Sequence, residues 1–115
     1  MKYAIPPCPK PRQTRRDKWA KRPCVMRYRA FKDKVRLHRV ELPQPCRVTF
    51  WIAMPASWSD GDKRAHDGLP HQQKPDLDNL LKALADAVHA DDSHLWSIQA
   101  EKRWAREAAI EVLPA

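Results

Sequence analysis

The chain has 115 residues, a formal net charge of +8, 11 prolines and 2 glycines. That length allows one domain, 1–115, with a modest core, and excludes a two-domain enzyme. No apolar run approaches the length of a membrane span, and the N-terminus has no apolar segment behind its charge, so a soluble, cytoplasmic protein is expected.

The charge is segregated. Residues 1–39 hold 14 Lys/Arg against 2 Asp, a balance of +12, whereas residues 40–115 hold 8 Lys/Arg against 12 Asp/Glu, a balance of −4. A basic segment of this density is the electrostatic footprint of a polyanion binder, with nucleic acid as the obvious partner; the alternative is a merely solvated face. Trp19, Tyr28 and Phe31 within it either stack on bases or pack inward. Cys8, Cys24 and Cys46 are widely spaced without a CxxC pair, and read as reduced thiols. The five histidines, His38, His66, His71, His89 and His94, show no metal-ligand spacing and are expected on the surface without a role.

In chain order, residues 2–5 can start a short strand, and the basic, proline-rich segment of about 6–25 opens with "PPCPKPRQ", an extended loop. From about Met26 to Val40, after Pro23, the residues Met26, Phe31, Val35 and Leu37 give a loose apolar pattern for an amphipathic helix. "CRVTFWIAM", 46–54, is β-branched and aromatic and predicts a buried strand. Residues 55–75 hold both glycines and read as a long loop. Pro75 then precedes a helix whose apolar face is Leu77, Leu80, Leu81, Leu84 and Val88, with Asp76 as N-cap. After the turn "HADDS", two segments, "HLWSIQAEKRW" and "REAAIEVLP", predict strands joined as a hairpin across Trp104 to Arg106. The expected fold is α/β of the α+β kind, a mixed sheet of about four strands with two helices, in the order β-α-β-α-β-β.

Five aspartates fall within residues 76–92 of this basic chain. Asp76 and Asp78 suit a helix N-terminus, where free amides and the dipole favour negative charge, so capping is one explanation. The other comes from Lys82, four residues after Asp78 on the same helix face, continued by Asp86, and from the pair Asp91 and Asp92. Carboxylates beside a lysine suit a phosphoryl-cleaving site, in which oxygen ligands hold Mg²⁺, or Mn²⁺ in its place, and the lysine neutralises developing charge. An EF-hand is excluded, because its sixth position is Leu81 and its twelfth Ala87.

"KPDLDNLLKALADAV" followed by "DDSHLW" resembles the signature of RusA-type Holliday junction resolvases, and "PPCPKPRQT" is similar to the proline-rich basic start of phage-borne members. The resemblance implies a small homodimeric, Mg²⁺-dependent endonuclease that cuts four-way DNA junctions symmetrically. It implies metal-binding catalytic roles for Asp76, Asp78 and Asp92, Lys82 as the essential lysine, and Asp91 as accessory. Lys10, Arg12, Arg15, Arg16, Lys18 and Lys74 are then candidates for binding the DNA arms. The link from the helix to the Asp pair is short. A helix from Asp78 to Val88 rises about 15 Å, while four extended residues return about 13 Å at most. Either the helix ends early, therefore, or Asp92 joins the cluster across a dimer interface. Two other functions are open: a non-catalytic DNA-binding protein, in which the acids cap a helix and the basic segment alone holds the DNA, and a metal-dependent nuclease for other branched nucleic acids, which uses the same residues.

Overall fold

The structure, a computed structural model, describes residues 1–11, 23–89, 93 and 95–115. Its elements are β1 (Lys2–Tyr3), α1 (Pro23–Leu37), β2 (Cys46–Ala53), α2 (Asp60–His66), α3 (Leu77–Val88), β3 (Ile98–Ala105) and β4 (Ala109–Pro114). The α+β class and the four-stranded mixed sheet are as expected; the helices number three among the described residues rather than two.

β2 is the organising strand. Cys46, Val48 and Phe50 alternate onto the buried face, and the strand is apolar enough to need a partner on both edges. It takes β3 in parallel, from Cys46↔Ile98 to Ala53↔Ala105, and β4 antiparallel, from Cys46↔Pro114 to Trp51↔Ala109. The sheet order is β1-β4-β2-β3. β3 and β4 are therefore not the expected hairpin: the turn after Ala105 carries the chain past the end of β2, and the two strands flank it. An alternating pattern fixes which residues face the core but not which neighbour a strand selects.

α1 and α3 pack on each other, and their buried residues join those of β2 and β4 in one core. On α1 the buried stripe is Tyr28, Phe31 and Val35. Met26 and Leu37, assigned to the apolar face from sequence, are 47% and 80% exposed. Each lies two residues, about 200° of helix, from a member of the true stripe, and the amphipathic Tyr28 occupies the place given to Met26. Tyr28 and Phe31 thus pack inward. α3 buries Leu80, Ala83, Leu84, Ala85 and Ala87, with Leu77, Leu81 and Val88 half-buried against the same core.

The stretch 55–75 is not wholly a loop. Ser59 caps α2, its hydroxyl accepting from the Asp62 amide at 3.1 Å. Asp60 and Asp62 sit in the first turn, and Lys63, Arg64 and His66 in the last, so the helix is held by its ends and buries no residue. Trp58 ties it to the sheet, with ring centroids 4.7 Å from His66 and 4.9 Å from Trp104. His71, expected on the surface, is buried against Trp104 at 4.3 Å. Its Nδ1 is buried without a hydrogen bond, and burial, aided by the nearby Lys102 ammonium, pushes its pKa down. No helix among the described residues is long and apolar enough to cross a membrane.

Candidate active site

α3 presents the acidic constellation. Asp76 stands at its N-cap with extended backbone, φ −70° and ψ 141°, and its carbonyl accepts from the Leu80 amide at 3.1 Å. Its carboxylate, however, makes no capping hydrogen bond. Instead it faces solvent and pairs with the Lys74 ammonium at 3.0 and 3.1 Å. Helix capping by the side chain, the main competing explanation for this residue, is not how Asp76 is used.

Asp78 and Lys82 lie one turn apart on the exposed face, away from Leu80 and Leu84. Among the described residues neither forms a hydrogen bond or an ion pair, and they do not pair with each other. Both line an open groove of about 460 Å³. One wall is Asp78, Leu81, Lys82 and Ala85 of α3; the other is Ser93 and residues 95–98, the segment leading into β3. Asp76 is not among the lining residues.

α3 runs without interruption to Val88, with His89 as C-cap, so it does not end early. Asp91 and Asp92 lie outside the described residues, as do Arg12, Arg15, Arg16, Lys18 and Trp19. The chain has nevertheless returned to the groove by Ser93. Gln44 holds the returning segment in place: its side-chain carbonyl accepts from the amides of Trp96 at 3.0 Å and Ser97 at 3.1 Å. The side chain of Trp96 is left 74% exposed on the groove wall.

Whether this donor set suits a hard divalent cation is answered by its chemistry. Two carboxylates, neither used for capping, offer oxygen ligands to an ion that takes one or two carboxylates and retains waters. Among the described residues no group of three or more His, Cys, Asp or Glu converges.

The basic segment begins beside the same helix. Lys10 pairs with Asp86, and the Asn79 side-chain amide donates to the Lys10 carbonyl at 3.1 Å. Asn79 and Asp86, seven residues apart, mark one α3 face, and Tyr28 lies against it, its phenol pushed up by burial and by Asp86. Lys74 is exposed beside Asp76. Along α1, Arg27, Arg29, Lys34 and Arg36 are all exposed. Sequence reasoning missed Gln44, Trp96 and Asn79. Asn79 lay inside the quoted motif and was readable there, whereas nothing near Gln44 marks it, because its partners are 52 and 53 residues away.

The model of one family, described as endodeoxyribonuclease RusA, matches residues 4–113, nearly the whole chain. No curated protein and no solved structure matches it.

Proposed function

Because the chain belongs to the RusA endodeoxyribonuclease family and is a nuclease of the crossover-junction type, we propose that it resolves four-way DNA junctions by Mg²⁺-dependent phosphodiester hydrolysis in the groove between α3 and β3. The observation that carries this reading is the state of Asp78 and Lys82: one turn apart in one groove, exposed, and paired neither with each other nor with any other described residue. A surface ion pair would be their ordinary fate.

Asp76 and Asp78, with Asp92, are the residues that would hold the cation. When bound, such an ion polarises the phosphate and lowers the pKa of the attacking water. The remaining work belongs to the chain. Lys82 directs its ammonium at the phosphodiester and neutralises charge gathering on the leaving oxygen as the P–O bond breaks. Asp78, on the turn before it, sets the separation between carboxylate and ammonium through the rigidity of α3. What favours Asp92 acting within its own subunit is that Ser93, the next residue, lines the same groove as Asp78 and Lys82. Asp91 is accessory.

The arms are held through phosphates, by Lys10 and Lys74 and by Arg12, Arg15, Arg16 and Lys18 of the basic segment, which gives affinity without base reading. A homodimer would supply two related sites for the two scissile phosphates of a nearly two-fold junction. Trp96 adds an aromatic surface beside Lys82, suited to the unstacked bases that distinguish a branch point from a duplex.

The test is cleavage of a labelled four-way junction against linear duplex and flap controls, in Mg²⁺ or EDTA, for wild type and Asp78→Asn. Paired symmetric nicks that need both Mg²⁺ and Asp78 are expected. Junction binding without cutting in any metal would return the protein to a non-catalytic binder, and preferential flap cutting would reassign the substrate.

A further inference from the structure

The start of α3 has to be held rigidly for Asp76 and Asp78 to act together, yet its own N-cap side chain does not hold it. The preceding chain is instead fastened to the outer edge of β3. Gly68 donates to the Trp104 carbonyl at 2.9 Å, Trp104 to the Leu69 carbonyl at 2.9 Å, and His71 to the Lys102 carbonyl at 3.0 Å. That backbone ladder stops at His71, five residues before the first carboxylate. The gap is bridged by one side chain. Lys102 sits opposite Phe50 in the sheet, on the face that bears the core. Its stem is half-buried, and its ammonium donates to the carbonyls of Gln73 and Pro75, each at 2.7 Å.

We propose that Lys102 is a positioning residue for the nuclease site, clamping the Gln73 and Pro75 carbonyls so that α3 starts with Asp76 and Asp78 at a fixed place relative to β3. The inference rests on the reading of Asp76 and Asp78 as the reacting carboxylates. The residue type matters. An ammonium has three donors, two of which are spent on these two carbonyls, and no neutral side chain of that length can do the same. Pro75 has no amide to contribute, so the carbonyls are the handles the backbone offers here. Losing the ammonium leaves two acceptors without this partner and frees the turn bearing Asp76. Displacements near 1 Å at a reacting group cost rate heavily, on the order of a hundredfold.

The experiment uses full-length Lys102→Met, which keeps the stem, and Lys102→Arg, which keeps the charge. Amide hydrogen exchange is followed at Leu80, the first hydrogen-bonded amide of α3, and, as a reference, at Phe50 and Ile110 in the core. Single-turnover junction cleavage is followed across a Mg²⁺ titration, and junction binding in EDTA. The expected result for Lys102→Met is exchange faster by tenfold or more at the Leu80 amide, which donates to the Asp76 carbonyl, with core exchange unchanged. Cleavage falls at least as far, half-saturation moves to higher Mg²⁺, binding in EDTA is unaltered, and Lys102→Arg restores part of the loss. Wild-type exchange and cleavage in Lys102→Met would overturn the proposal. So would acceleration of core amides in step with the helix start, which would make Lys102 a plain contributor to stability. If wild type itself fails to cut, the resolvase reading falls, while the exchange comparison still decides whether Lys102 holds the turn.

Discussion

Asn79→Ala separates the root of the basic segment from the catalytic helix without changing any charge. The bond removed, from the Asn79 amide to the Lys10 carbonyl at 3.1 Å, is partly buried, so its net worth is about 1 kcal/mol. The second tie, Lys10 to Asp86, joins side chains 39% and 36% exposed, which solvent screening discounts to about 0.5 kcal/mol. Together these two ties are worth about 1.5 kcal/mol, a little over tenfold in population. Asp86→Ala also removes a negative charge, which favours a polyanion and works against the loss, so Asn79→Ala alone is the cleaner variant. It should weaken binding of a labelled four-way junction in EDTA about fivefold. The salt dependence should stay as in wild type, because the number of phosphates neutralised is unchanged. Fluorescence anisotropy at two salt concentrations reads both. Wild-type affinity in Asn79→Ala would refute the idea that this anchoring presents the basic segment to DNA. A flattened salt slope would refute the claim that the contacts themselves survive.

Two further outcomes are expected. His71 is buried with its pKa lowered by desolvation and by Lys102. Below about pH 6.5 the unfolded chain takes up its proton before the folded one does, so stability present above that pH is lost as pH falls. In urea unfolding, His71→Phe should remove part of the drop between neutral and acidic pH, and an identical pH dependence in both proteins would count against it. Trp96→Ala should leave the melting temperature unchanged, since the ring is 74% exposed, yet weaken junction binding by about 1–3 kcal/mol if the indole stacks on an unpaired base. A loss of equal size on linear duplex would show that the ring does not discriminate branched DNA.

The elements with strong periodic patterns were legible from the residues: β2 from its β-branched and aromatic run, and α3 from its leucines. What pattern cannot carry is pairing. Ala109 to Pro114 alternates equally well beside β3 or beside β2, and the choice is made by β2 needing partners on both edges. α2 escaped because it buries no residue and so leaves no apolar stripe, although Ser59 followed by Asp60 and Asp62 is a readable start. His71 was misplaced because its burial depends on Trp104, which lies 33 residues further on. At the candidate site, Asp78 and Lys82 could be paired from helical spacing alone. Gln44 and Lys102 could not, because each acts on backbone atoms from a different strand region and leaves no mark on the composition of its neighbours.

β4, the last strand in the sequence, is not the last in the sheet: it lies between β1 and β2. During synthesis β2 therefore has one edge of its ladder bare until residues 109–114 leave the ribosome, and β1, two residues long, has nothing to pair with until the same moment. The chain cannot lay down its sheet progressively. Closure waits for the pairing of Lys2 with Glu111 and Tyr3 with Ile110, more than a hundred residues apart, which makes for a late, all-or-none assembly in place of a gradual one. Trimming the C-terminal strand would remove a middle plank of the sheet, so it should abolish the fold where loss of a peripheral strand would only fray it.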